Sequence, residues 1–124
     1  MDSLKKMNGF TLIEVLVALV ILSVSLIGLA GLMVTTTKNN SFGTHMTEAT
    51  TFAQGKLEEL RAIRWEVVPE GASTDPAPRI GSTGISYVRN WTVITNGVLK
   101  TITITVSWQD KSNHAITLNS ILSQ

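Results

Sequence analysis

Apolar residues fill almost every position from Phe10 to Val34, where Glu14 is the single charged residue. At about 1.5 Å per residue, a helix over residues 10–34 would be about 37 Å long, which exceeds a hydrocarbon core of about 30 Å. Leu, Ile and Val lie on all sides of such a helix, as a membrane span requires. The pattern therefore predicts a transmembrane helix over residues 10–34.

The pattern changes after Val34. A polar stretch comes first, and apolar residues then recur at helical spacings of four and three positions. They are Phe42, Met46, Ala49, Ala53, Leu57 and Leu60. We expect the same helix to continue over residues 35–66 as an amphipathic half outside the membrane. Pro69 ends it, because the residue before a proline disfavours the helical region.

Residues 67–84 contain all three prolines and several glycines, with no apolar period. Such a segment is typical of a connector between elements. We interpret it as an exposed loop between the helix and a sheet.

Two alternating segments, Ile85 to Thr95 and Val98 to Trp108, flank Asn96-Gly97, a strong hairpin signal. A two-residue turn there would set Ile85 opposite Trp108, Tyr87 opposite Val106 and Trp91 opposite Ile102. One face of the pair would then be apolar and the other rich in Thr and Ser, which favours an antiparallel pair with one buried face. Arg89 falls on the apolar face, and we expect it near an edge.

Alternation over residues 114–122 indicates a third strand. The predicted fold class is α+β: a long N-terminal helix, membrane-spanning in its first half, packed against a three-stranded antiparallel sheet over residues 85–124.

The charge balance argues against a nucleic-acid-binding protein. Lys+Arg is 10 and Asp+Glu is 9, for a net charge of +1, which lacks the basic footprint of a protein that grips phosphates. Cysteine is absent, so cysteine usage says nothing about redox compartment.

Glu14 is the unusual feature of the apolar segment, because a carboxylate in hydrocarbon is costly unless it is paired. Lys5 and Lys6 precede the segment and predict a cytoplasmic N-terminus. Three interpretations remain at this point. The segment is a secretory signal cleaved near Ala30-Gly31, a plain single-pass anchor, or a helix that is kept after cleavage between Gly9 and Phe10.

The junction closely resembles the class III signal of the type IV pilin and pseudopilin family. The matching residues are Gly9-Phe10-Thr11-Leu12-Ile13-Glu14-Val15-Leu16-Val17-Ala18-Leu19. This resemblance implies that residues 1–9 are a leader, that prepilin peptidase cuts between Gly9 and Phe10, and that the new Phe10 amine is methylated. Glu14 would then set the register of one subunit against the Phe10 amine of another.

The resemblance also implies partners and location. The expected partners are prepilin peptidase, other minor and major pilins, and an inner-membrane assembly platform. The chain would lie in the inner membrane, with a periplasmic C-terminal domain, and then join a fibre at the cell surface. The segment Ala53-Gln54-Gly55-Lys56-Leu57-Glu58-Glu59-Leu60-Arg61 resembles V-type minor pilins and I-type minor pseudopilins. An uncleaved, membrane-anchored binding module is the alternative of another class.

Ser23, Ser25, Gly28 and Gly31 interrupt the aliphatic run. Close helix–helix packing through small residues explains them, and so does a segment that can extend locally.

The chain carries no recognisable enzymatic pattern. His45 and His114 lack clustered Cys or carboxylate neighbours, so we interpret both as surface residues and predict no metal site and no cofactor. Glu58 and Glu59 point about 100° apart on a helix, which argues against a catalytic pair. Lys56–Glu59 and Glu58–Arg61 fit solvated ion pairs. We expect Trp91 and Trp108 to pack in a core and not to stack on bases.

Overall fold

The computed structural model describes residues 9–124, so residues 1–8 of the predicted leader, with Lys5 and Lys6, lie outside the described residues. The described elements are α1 (Leu12–Ala62), a 3-10 turn (Trp65–Val67), β1 (Gly71–Thr74), β2 (Arg79–Ile80), β3 (Ser86–Asn96), β4 (Leu99–Gln109) and β5 (Asn113–Ser123). The long N-terminal helix and the α+β class are confirmed. The helix ends at Ala62, earlier than residue 66, and the 3-10 turn follows it.

The chain divides into two compact units, with the boundary between Asn40 and Ser41 inside α1. In the first unit, the large apolar side chains from Leu12 to Val34 are 45–80% exposed. The helix contains an 18-residue window of mean hydropathy 2.8, so by length and composition it can cross a membrane. This half of α1 therefore presents apolar surface that the rest of the described chain, residues 9–124, does not cover.

The second unit, Ser41–Gln124, contains a five-stranded antiparallel sheet. The strand order is β1-β3-β4-β5, and β2 also pairs with β3. The prediction of three strands was too few. β1 and β2 lie in the segment predicted to be a connector, and they pair with residues 90–93 and 86–87 of β3, respectively. Their sequences, Gly-Ala-Ser-Thr and Arg-Ile, show no apolar alternation because their side chains are exposed. They join the sheet through main-chain pairing with β3.

The β3–β4 register differs by two residues from the predicted one. Tyr87 lies opposite Trp108 and Trp91 opposite Ile104, and the pair Asn96–Leu99 closes the hairpin. The two turn residues are therefore Gly97 and Val98. Gly97 has φ +62°, and no non-glycine residue described has positive φ. A turn of type I′ would need positive φ at Val98 as well, whereas Gly at the first turn position suits type II′.

The shift by two residues preserves the faces of the strands, because side chains alternate with period two. The inner face carries the buried Tyr87, Val93, Ile102, Ile104, Val106 and Trp108. The second half of α1 packs on this face through Ala49, Ala53, Leu57 and Leu60. The two alanines are fully or almost fully buried, at 0% and 1% exposed, so the helix backbone comes close to the sheet.

Candidate functional site

The predicted processing junction lies ahead of the helix and is open. Phe10 is 83% exposed, and a side chain added at Gly9 would meet nothing within 4 Å. The helix begins at Leu12, with Thr11 as its cap: Thr11 Oγ1 accepts a hydrogen bond from Glu14 N–H at 3.3 Å. Thr11 O also accepts from Val15 N–H at 3.2 Å. The Gly9–Phe10 peptide bond is thus outside the regular hydrogen-bonded helix.

The sequence Thr11-Leu12-Ile13-Glu14 is also a capping box, a signal that our sequence analysis missed. The threonine half of the box is formed. A carboxylate in the first helical turn is further favoured by the helix dipole. The bond that is formed uses the Glu14 main-chain N–H, so the local contribution of the Glu14 carboxylate to starting the helix is its interaction with the helix dipole.

Within residues 9–124, the structure gives Glu14 no ion pair. The other polar groups of the apolar segment are satisfied locally: Ser23 Oγ donates to Leu19 O at 2.7 Å, and Ser25 Oγ donates to Ile21 O at 2.8 Å. Such bonds to the carbonyl four residues earlier remove the demand for an outside partner. The Glu14 carboxylate is the group in this segment whose charge still needs compensation in a membrane.

Gly28 and Gly31 leave open space beside the helix, since a Cβ at either would meet nothing within 4 Å. Both predicted roles, close packing of another helix and local extension, remain predictions.

In the second unit, Glu48 joins α1 to the loop after β2. Glu48 Oε1 accepts from Ser82 N–H at 2.7 Å and from the Ser82 hydroxyl, and Glu48 Oε2 accepts from Tyr87 Oη–H at 2.6 Å. These hydrogen bonds, those of Ser82 first, hold the pKa of Glu48 below its usual range. Burial and then the Glu48 carboxylate raise the pKa of Tyr87. His45 Nδ1 lies 3.1 Å from Tyr87 Oη.

His45 is 6% exposed, so its assignment as a surface residue was wrong. It occupies the helix face that packs on the sheet, where its ring nitrogen has a hydroxyl partner. The sequence alone does not distinguish a buried histidine from an exposed one at this position of the helix.

Arg89 is also buried, at 4% exposed, and not near an edge as predicted, because β1 and β2 extend the sheet beyond β3. Its guanidinium binds Asp75 through Nε–Oδ2 at 2.8 Å and Nη2–Oδ1 at 3.0 Å, and its Nη1 donates to Phe52 O at 3.0 Å. Burial opposes the charge of Asp75, but Arg89 and then Arg79 hold its pKa below the usual range.

Asp110, Ser112 and His114 form a cluster that contains the residue types of a hydrolase triad. Ser112 Oγ lies 3.0 Å and Asp110 Oδ1 lies 3.1 Å from the same atom, His114 Nε2. A catalytic triad instead uses the two ring nitrogens separately. The cluster closes the β4–β5 turn, where Ser112 N–H also donates to Asp110 Oδ1 at 3.0 Å. His114 is half-buried and stacks on Trp108, so it too is not a plain surface residue.

Two tryptophans are covered by lysines. Lys56 Nζ lies 3.9 Å from the Trp91 ring centroid and 3.0 Å from Glu59 Oε1, and Lys100 Nζ lies 4.8 Å from the Trp65 ring centroid. The Lys56–Glu59 pair is present, but Lys56 is buried and not solvated as predicted. Arg61 Nη2 donates to Ser120 Oγ of β5 at 2.7 Å. Among residues 9–124, no group of three His, Asp or Glu residues is placed to hold a metal ion.

Of the comparisons with known proteins, one gives a match, and it lies in the N-terminal segment. The family model of the prokaryotic N-terminal methylation motif matches residues 4–30, which include the Gly9–Phe10 junction and Glu14. No curated protein and no solved structure was found to match the chain. The motif supports a protein like a type IV pilin or pseudopilin, and proteins with this motif are structural subunits and not enzymes. It implies processing by prepilin peptidase and assembly with other pilins.

Proposed function

We propose that the chain is a minor type IV pilin of the V type, which prepilin peptidase cleaves between Gly9 and Phe10 and methylates at Phe10. The observation that carries this proposal is the methylation motif, which coincides with an open junction ahead of a capped helix. A peptidase needs an accessible bond, and the exposed Phe10 supports such access at this junction.

After cleavage, the helix acts as the assembly element. Its uncovered aliphatic surface would pack against the helices of neighbouring subunits, with Gly28 and Gly31 permitting close approach. The second half of α1 buries its apolar face against the sheet. This packing does not involve the first half, so the second unit can stay folded while the first half assembles.

Glu14 provides the register. Cleavage creates a cationic Phe10 amine, and in a staggered stack the Glu14 carboxylate of one subunit can pair with the Phe10 amine of another. Removing one partner of a buried ion pair costs about 3–5 kcal/mol, so stacking offsets that leave the charges apart are strongly disfavoured. This pairing uses a charge that residues 9–124 leave without an ion pair in the structure.

A minor pseudopilin of a type II secretion system is the second candidate, because the same motif and helix serve both kinds of assembly. The V-type assignment rests on the resemblance over residues 53–61, which also fits I-type pseudopilins. In the structure Leu57 and Leu60 are core residues, so part of this resemblance reflects helix packing on the sheet.

The test is the intact mass and N-terminal sequence of the chain from sheared surface fibres and from membranes of its native host. Methylated Phe10 as first residue in the fibres is the expected result. Methylated Phe10 confined to membranes would favour the pseudopilin. A membrane protein that still begins at Met1 would contradict both and leave the anchored binding module.

A further inference from the structure

The two edges of the sheet are built differently. At one edge, β1 and β2 are short strands separated by a segment that contains Pro76 and Pro78. At the other edge, β5 is an eleven-residue strand that pairs with β4 without interruption, from Asn113–Gln109 to Ser123–Leu99. Only the first edge is therefore broken in the way that prevents another strand from pairing with it.

β5 lacks the usual protection of an edge strand. Proteins blunt exposed edges with charged side chains, prolines, bulges or short strands, because unpaired main-chain groups pair readily with another chain. The β5 sequence Asn-His-Ala-Ile-Thr-Leu-Asn-Ser-Ile-Leu-Ser contains no Lys, Arg, Asp, Glu or Pro, and its register shows no bulge. Such an edge is suited to receive a strand.

The direction of the free main-chain groups follows from one hydrogen bond. Gln124 N–H donates to Val98 O at 3.1 Å, in the same register as the β4–β5 pairs. Main-chain groups alternate along an antiparallel strand, so the even-numbered residues of β5 bond to β4 and the odd-numbered residues point away. The outward N–H and C=O groups belong to Asn113, Ala115, Thr117, Asn119, Ile121 and Ser123. Among the described strands, β5 pairs with β4 alone.

The side chains of these same residues are exposed and uncharged. Ile121 is 63% exposed, and it stands in a row with Thr101 and with Ile94, which is 58% exposed. The edge thus offers hydrogen-bonding backbone along its length and an apolar side chain near its C-terminal end. A neutral, extended segment with an apolar side chain opposite Ile121 complements it.

We propose that the β5 edge pairs with an extended strand of a different subunit in the same assembly, which continues this sheet across the subunit boundary. The proposal rests on the proposed function, because assembly is what brings a second subunit beside β5. Main-chain pairing would supply the hydrogen bonds, and the side chain opposite Ile121 would supply specificity.

Another copy of this chain fits less well. A copy that presented its other edge would offer β1 and β2, which are short and separated by Pro76 and Pro78. Antiparallel pairing of two β5 strands needs a two-fold axis perpendicular to the sheet. That axis would run the Ser41–Ala62 stretches of the two helices in opposite directions, although the predicted membrane helix, residues 10–34, precedes this stretch in both chains.

Amide hydrogen exchange tests the pairing residue by residue. We would compare the full mature chain in detergent micelles with the same chain in fibres or membrane assemblies isolated from its host. In micelles, the amides of Leu118 and Ser120 should exchange slowly and those of Thr117, Asn119 and Ile121 quickly. In the assembly, these outward amides should slow by about tenfold or more, because a pairing strand must open before they exchange.

Two pairs of variants distinguish edge pairing from docking on the outer face. Asn119→Pro removes an outward N–H, whereas the matched Asn119→Val keeps it; a proline with its nitrogen at the free side is tolerated in an edge strand. Ile121→Lys places a charge at the edge, and Ile94→Lys places the same charge two strands away. Asn119→Pro and Ile121→Lys should reduce incorporation about tenfold, and their controls should not.

Outward amides that stay fast in an assembly of chains beginning with Phe10 would overturn the edge proposal and leave the proposed function standing. Slow outward amides in the purified chain alone, with a doubled mass, would make a second copy the occupant and overturn the choice of a different subunit. Equal loss with Ile121→Lys and Ile94→Lys would show face docking instead. A chain still beginning at Met1 would contradict the proposed function itself.

Discussion

Arg89 and Asp75 form a bidentate ion pair on the face of the sheet that packs against α1, with Nε–Oδ2 at 2.8 Å and Nη2–Oδ1 at 3.0 Å. The side chains are 4% and 9% exposed, so both charges are removed from water. The remaining Arg89 amino group donates to Phe52 O of α1. One side chain therefore connects β3, the segment after β1 and the helix, which are far apart in sequence.

The first prediction concerns this pair. Arg89→Ala should lower the free energy of unfolding by about 3 kcal/mol, because the buried Asp75 carboxylate loses its closer partner and keeps the half-exposed Arg79, whose Nε lies 3.3 Å from Oδ2. Urea unfolding of the full chain in detergent, followed by tryptophan fluorescence, measures the change. The control is the double variant Asp75→Asn/Arg89→Met, which removes both charges and should be clearly more stable than Arg89→Ala. Equal stability of the two would mean that the buried charge is not the cost.

The second prediction concerns acid. The folded-state pKa of Asp75 and of Glu48 lies below the usual value, so each carboxylate binds protons more weakly in the folded than in the unfolded chain. The stability they contribute is complete above the unfolded pKa values of about 4, and it is lost as pH falls through the lower folded values. Urea midpoints should thus drop steeply below about pH 4.

The acid dependence has a direct control. Asp75→Asn should flatten the slope below about pH 4, whereas Glu58→Gln, at an exposed position of α1 outside these networks, should leave it in place. A slope that is unchanged in Asp75→Asn would show that this ion pair does not govern acid stability.

The third prediction concerns Gly81, which lies against the Glu48 network. A Cβ at Gly81 would lie 2.7 Å from Tyr87 Cε2 and would also overlap the Glu48 carboxylate. Gly81→Ala should lower the free energy of unfolding by about 1–3 kcal/mol. The added methyl group must displace either the Glu48 and Tyr87 side chains, which weakens their hydrogen bond, or the main chain after β2. Thermal unfolding of the full chain in detergent measures it.

Gly55→Ala is the matched control. Gly55 lies inside α1, where a Cβ meets nothing within 4 Å, so alanine should stabilise the helix by up to about 1 kcal/mol. Opposite signs for the two substitutions are expected. A stabilising effect of Gly81→Ala would contradict the close packing at this loop.

The features that could be predicted from the sequence are those that produce a regular spacing of apolar residues. The apolar run and the alternation of β3 and β4 placed the helix and the buried face, and the face survived a register error of two residues because parity was unchanged. The turn itself was ambiguous, since Gly97 can serve as the first or the second turn residue.

The buried polar groups could not be predicted in the same way. The partner of Arg89 lies 14 residues earlier in a segment without apolar pattern, and the Tyr87 partner Glu48 lies 39 residues earlier on a helix. Both pairings depend on tertiary structure. The Gly9–Phe10 junction and Glu14 could be proposed from sequence because their motif is contained in consecutive residues, and their roles stay predictions.

The last prediction separates the two roles of Glu14. Glu14→Gln removes the charge but keeps a residue that suits the third position of a capping box, whereas Thr11→Ala removes the cap and keeps the charge. If the charge sets the register, Glu14→Gln should be cleaved normally but incorporated about tenfold less or worse, since its partner amine is left buried and unpaired. Thr11→Ala should cost only about 1 kcal/mol of helix stability and retain most incorporation. Quantitative mass spectrometry of mature chain in fibres against membranes gives both values. Equal incorporation of Glu14→Gln and the unaltered chain would refute the register role and leave Glu14 as a helix-starting residue.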